Sequence, residues 1–148
     1  MQTQKNTITI YTDGACKGNP GIGGYGAILH YNDIFKEISG ICLATTNNRM
    51  ELTAVIEALK KLKRSCNIEI FTDSQYVQKG ITIWIKGWKQ KNWHNVKNVD
   101  LWQALEEEAS KHKIKWHWVR GHSGHKWNER ADELANLAIA EYKNGQIF

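Results

Sequence analysis

One hexapeptide pattern occurs twice in this chain. Ile8-Thr9-Ile10-Tyr11-Thr12-Asp13 and Ile68-Glu69-Ile70-Phe71-Thr72-Asp73 both read Ile-x-Ile-aromatic-Thr-Asp. Alternating β-branched and aromatic residues suit a strand, so each copy is expected to be one. Between them Val55, Ala58, Leu59 and Leu62 recur at helical spacing, which predicts an amphipathic helix over about 48–63. A helix between two strands permits a crossover that pairs them in parallel. Both Asp side chains then emerge at one carboxyl edge of the sheet, where open α/β sheets bind their ligands. Two acids held there repel unless a cation lies between them.

The remaining periodicities complete an α/β fold. Ala27-Ile28-Leu29-His30-Tyr31 and the run Phe35 to Cys42 read as strands joined by a turn at Asn32-Asp33, so the first third is expected to be an antiparallel meander. Leu101, Leu105 and Ala109 support a helix near 100–111. Ile114 to Val119 resembles a fifth strand, and Ala131, Leu134, Ala135, Ala138 and Tyr142 define a helix over about 128–143. The expected architecture is a five-stranded mixed sheet with flanking helices. At 148 residues it fits one domain spanning 1–148.

Composition narrows the class. Apolar residues make up 41% and include seven tryptophans, which is not a disordered composition. No stretch approaches about 18 consecutive apolar residues, so no membrane-spanning helix is expected. Residues Met1 to Asn6 lack the apolar core of a secretory signal. Three widely separated cysteines argue against a disulfide framework and against Cys-x-x-Cys zinc spacing, which points to a reduced, cytoplasmic setting. The formal charge of +5 permits a polyanionic partner. Gly21-Ile22-Gly23-Gly24-Tyr25-Gly26 fits Gly-x-Gly-x-x-Gly, but it leads into a strand rather than opening a helix. It is read as turn and strand geometry, not as a dinucleotide site.

Each acid taken alone has an ordinary structural explanation. Asp-Gly at Asp13-Gly14 is a common turn, and Asp73 before Ser74 could cap a helix. Glu51 follows Asn48 at capping-box spacing, and Asp132 early in a helix suits the dipole. Together they are harder to dismiss. Asp13 and Asp73 end similar strands, while Glu51 and Asp132 are expected in the first turns of helices framing the same edge. Oxygen-only ligands suit Mg²⁺ or Mn²⁺ rather than zinc, and such a set on a basic protein suggests metal-assisted phosphodiester chemistry.

From Lys79 to Val99 there are five lysines and no acidic residue, with Trp84, Trp88 and Trp93 interleaved. A solvated basic face over buried tryptophans is one reading. A nucleic-acid surface, with cations on phosphates and rings on sugars or bases, is the other. His122 and His125 lie in a loop without His-Glu-x-x-His spacing or a nearby cysteine, which argues against zinc.

Four long blocks carry a family resemblance. They are Tyr11-Thr12-Asp13-Gly14-Ala15-Cys16-Lys17-Gly18-Asn19-Pro20-Gly21, Thr45-Thr46-Asn47-Asn48-Arg49-Met50-Glu51-Leu52 and Thr72-Asp73-Ser74-Gln75-Tyr76-Val77, then the stretch Trp118 to His125 continuing through Asn128-Glu129-Arg130-Ala131-Asp132-Glu133-Leu134-Ala135. In order and spacing they resemble bacterial type 1 ribonuclease H over nearly the whole chain. The resemblance implies a ribonuclease H-like fold and an endonuclease that cuts the RNA strand of RNA–DNA hybrids, leaving 5′-phosphate and 3′-hydroxyl ends. It places Asp13, Glu51, Asp73 and Asp132 on the family's metal-binding carboxylates, with two divalent ions about 4 Å apart. His122 matches a mobile-loop histidine that assists proton transfer or product release, whereas His125 keeps a structural reading.

Substrate contacts follow from the same resemblance. Asn19, Asn47, Asn48 and Gln75 offer amides for the minor groove, where the 2′-hydroxyl marks the RNA strand. Thr46 and Asn98 match positions that grip a DNA-strand phosphate, and Trp84 and Trp88 match aromatics near the DNA sugars. The family is usually monomeric. The rival reading is a catalytically silent hybrid-binding module on the same fold, which the full set of carboxylates disfavours.

Overall fold

The computed structural model describes residues 7–121 and 125–145. Five strands run β1 Thr7–Lys17, β2 Gly21–Tyr31, β3 Ile34–Thr45, β4 Asn67–Thr72 and β5 Lys113–Trp118. The helices are α1 Asn47–Lys60, α2 Gln75–Lys79, α3 Ile85–Gln90, α4 Val99–Ala109 and α5 Lys126–Gly145, with a π-helical turn Gly80–Trp84 between α2 and α3. The sheet order is β3-β2-β1-β4-β5.

The repeated hexapeptides are the parallel centre of this sheet. Ile10 pairs with Ile70, Tyr11 with Phe71 and Thr12 with Thr72. β5 adds in parallel to β4, whereas β2 and β3 complete an antiparallel meander. Ile10, Ile68 and Ile70 face one side of the sheet and bury with Leu52, Val55 and Leu59 of α1 and Trp102 and Leu105 of α4. The other face receives α5, whose Ala131, Ala135 and Ile139 are buried.

The approach of α5 depends on Gly26. A Cβ there would overlap the carbonyl oxygen of Ala131. The glycine cluster is thus a contact surface as well as a turn, and β2 begins at Gly21 rather than at Ala27. The segment Gly21–Gly26 opens no helix.

Several local expectations are corrected. Asp13 does not end its strand and is not in a turn; β1 continues to Lys17, and Asp13 pairs with Gly26. What ends near Asp13 is the pairing with β4, so the two acids still meet at one edge. The cap of α1 is Thr46, whose hydroxyl accepts from the Arg49 amide, so Asn48 and Glu51 form no capping box. Ser74 rather than Asp73 caps α2, accepting from the Val77 amide. With α5 starting at Lys126, Asp132 falls in its second turn.

Candidate active site

Three secondary-structure elements deliver three carboxylates to one point. Asp13 comes from the middle of β1, Glu51 from just beyond the first turn of α1, and Asp73 from the residue after β4. One oxygen from each lies within 4.8 Å of the others. Gly14 makes this convergence possible. A Cβ at that residue would lie 2.5 Å from the Met50 carbonyl carbon and 2.6 Å from the Glu51 amide nitrogen. Because it is absent, α1 rests directly on β1 and carries Glu51 to the side of Asp13.

The end of β4 is held from two sides. Trp118 Nε1 donates to the Asp73 carbonyl at 2.9 Å, and Asn128 Nδ2 donates to the Phe71 carbonyl at 3.1 Å. These side chains, one closing β5 and one opening α5, fix the backbone that presents Asp73. Sequence reasoning does not single out either as a positioning group. Both lie inside the fourth matching block, but their hydrogen bonds leave no pattern in it.

Asp13 and Glu51 are both buried, at 6% and 7% exposure. Burial first, and then repulsion from Asp73, pushes the Asp13 carboxyl up to about 8, with further contributions from the charge and side-chain contact of Asp132. Burial likewise holds Glu51 well above the usual carboxylate range, reinforced by Asp13 and Asp73. Glu51 Oε1 is buried and takes no hydrogen bond from any described residue. A buried acceptor without a donor, beside like charges, costs free energy unless a cation meets it. The all-oxygen donor set fits a hard divalent cation.

Asp132 lies outside the tight three-residue set, although it contacts Asp13 and lines the same cleft. Its Oδ1 accepts from Asn136 Nδ2 at 3.2 Å. Arg120, Gly121, His125, Asn128 and Glu129 complete the lining. His125 packs on the rings of Tyr11 and Phe71, each 5.8 Å away, in keeping with a structural part. His122 lies outside the described residues.

None of the remaining described candidates lines this cleft; they lie at the start of α1, in the segment that follows Asp73, or bonded to α1. Asn19 Oδ1 accepts the Asn47 amide at 2.9 Å, which ties the β1–β2 loop to the start of α1. Thr46 caps that helix, with Asn47 and Asn48 exposed in its first turn. Gln75 is exposed at the start of α2. Trp84 is 40% exposed, whereas Trp88 packs against Trp102 at 5.1 Å. The lysine-rich segment thus holds one indole anchored on the core and another presented outward. Asn98 precedes α4 in a left-handed conformation with φ 60°.

Comparison with known proteins agrees with this geometry. The RNase H family profile matches residues 5–140. The ribonuclease H of Hahella chejuensis is 63% identical, with 91% of this chain and 95% of that protein covered. That of Francisella philomiragia is 59% identical over 94% and 95%. Among solved structures, LC9-RNase H1, described as a type 1 RNase H with the type 2 active-site motif, superposes with a TM-score of 0.85 at 32% identity, covering 93% of this chain and 74% of that one. LC11-RNase H1, solved in complex with RNA/DNA hybrid, gives a TM-score of 0.64 at 25% identity over 91% and 98%. With its parallel β1–β4 centre and its converging carboxylates, this chain belongs to the ribonuclease H family.

Proposed function

We propose that the chain is a metal-dependent endonuclease hydrolysing the RNA strand of RNA–DNA hybrids, acting as a single catalytic unit over residues 1–148. The observation that carries this reading is the meeting of Asp13, Glu51 and Asp73 within 4.8 Å in a chain of net charge +5. Asp13, Glu51, Asp73 and the neighbouring Asp132 would hold two Mg²⁺ ions, with Mn²⁺ as a substitute. Such ions supply Lewis-acid stabilisation of the charge that develops on the phosphate and its leaving oxygen.

The chain's own residues orient the substrate. Asn19, Asn47, Asn48 and Gln75 face the minor groove, where a 2′-hydroxyl can donate and accept. Thr46 and Asn98 grip a phosphate of the DNA strand, and Trp84 and Trp88 pack on its sugars. Water adds to phosphorus, the P–O3′ bond breaks and a proton passes to the departing 3′ oxygen, leaving 5′-phosphate and 3′-hydroxyl ends. His122 would assist that proton transfer or product release. A monomer in the cytoplasm is the expected form. The silent-module alternative is disfavoured because a pure binding surface has no need of a buried, mutually repelling carboxylate set.

Asp13→Asn tests the assignment. It should reduce cleavage at least about a thousandfold while leaving hybrid affinity within about threefold, since binding rests chiefly on phosphate contacts elsewhere. Persistent cleavage by this variant would sink the site.

A further inference from the structure

The side chains that tie α1 to the lysine-rich segment form a hydrogen-bonded chain whose donor order is forced. Arg49, in the first turn of α1, grips Asp100 through two bonds of 3.0 and 2.7 Å. It also donates Nη1–H to Asn98 Oδ1 at 3.2 Å. A guanidinium only donates, so the amide oxygen of Asn98 must face it and the amide nitrogen must face away. That nitrogen donates to the Tyr76 hydroxyl oxygen at 3.0 Å. The donor-only indole Nε1 of Trp102 donates to the same oxygen, also at 3.0 Å. Trp102 is fully buried, which anchors the chain in the core.

The consequence lies in what is left over. Tyr76 oxygen accepts twice, so its own proton goes to a third group. Asn98 has used one amide N–H and retains the other. Each spare end is a donor, so a group that meets either of them has to be an acceptor. A phosphodiester oxygen is acceptor-only and anionic, and it gains most from such ends. Asn98 itself has a left-handed backbone, φ 60°. Arg49 also joins this amide to α1, because its backbone N–H donates to Thr46 Oγ1 at 3.2 Å.

We infer that the Tyr76 hydroxyl is a positioning residue for phosphate recognition. It orients the Asn98 amide so that the spare N–H meets a non-bridging phosphate oxygen, and Arg49 locks the opposite end. This rests on the reading above of a hybrid nuclease with Thr46 and Asn98 at a DNA-strand phosphate, and adds the residues that hold Asn98 in place.

The test reads binding of a labelled RNA–DNA hybrid, with chelator present to block cleavage. Single neutral methylphosphonates are placed in turn along the DNA strand. For the wild-type protein one position should cost the most affinity. Tyr76→Phe should raise Kd about five- to tenfold, the worth of one hydrogen bond between neutral groups, and weaken the sensitivity at that position. Its kcat should stay within about twofold of wild type, because the reacting phosphate is a different one. Tyr76→Phe combined with Asn98→Ala should bind no more weakly than Asn98→Ala alone, because the hydroxyl acts through the amide. Arg49→Lys, which keeps the charge but loses the fork, should reproduce the loss. An unchanged Kd in Tyr76→Phe, or effects of Tyr76→Phe and Asn98→Ala that simply add, would overturn the inference. Failure of the nuclease reading would show instead in the wild-type protein, as hybrid left uncut once metal is supplied.

Discussion

Asp13 sits where burial and the charge of Asp73 both favour the protonated acid. Its carboxyl moves from an ordinary 3.8 up to about 8 in the folded chain. Between those values the folded state binds more protons than the unfolded one, so metal-free stability falls as pH rises from about 4 to 8. A divalent cation favours the ionised set and opposes that fall. Melting temperatures from pH 5 to 8 should therefore decline in chelator and decline much less in magnesium. Asp13→Asn should make the decline in chelator shallower, with buried Glu51 carrying what remains, and remove most of the magnesium-dependent gain. A profile in chelator that is flat for the wild-type protein would contradict the assignment. At this scale the acids can be picked out in sequence because they lie in repeated or motif-bearing segments. The helix cap beside Glu51 cannot, since Thr46 and Asn48 are both competent cap residues and only the turn geometry selects Thr46.

At the scale of elements, the site depends on how closely α1 approaches β1. Gly14→Ala would set a methyl against the backbone of Met50 and Glu51, neither of which can swing aside. The variant should lose about 1–3 kcal/mol of stability, seen as a lower melting temperature, and lose cleavage out of proportion as Glu51 is displaced. Wild-type activity in Gly14→Ala would show that the approach is not critical. The segment from Gln75 to Gln90 carries only a partial helical signal in sequence. Its π-turn, in which the Ile85 amide bonds to the Gly80 carbonyl, shifts the side-chain period partway along. The lysines there are not equivalent, because Lys89 is paired with Glu106 at 2.6 Å. Replacing Lys86, Lys91 and Lys97 with Ala should weaken hybrid binding. It should also lessen the slope of log K against log salt by about one for each phosphate no longer neutralised, whereas Lys89→Ala should change the slope less. Equal slopes for the triple variant and the wild type would argue against a nucleic-acid face.

On the scale of the molecule, topology does what no single motif could. Parallel pairing of the two hexapeptides brings together Asp13 and Asp73, which lie far apart in the chain, and the crossover returns through α1 to supply Glu51. That much is legible in the sequence, because strand periodicity and an intervening helix leave few arrangements open. What is not legible depends on distances of approach and on hydrogen-bond partners: the clamps from Trp118 and Asn128, the offset of Asp132 from the tight set, and the bracket around Asn98. The most direct measurement of the whole is cleavage of an end-labelled RNA–DNA hybrid beside duplex DNA, duplex RNA and single-stranded RNA, each with magnesium, manganese or chelator. Cutting confined to the RNA strand of the hybrid and abolished by chelator is the predicted result. Retained hybrid binding with no cutting in either metal would contradict it.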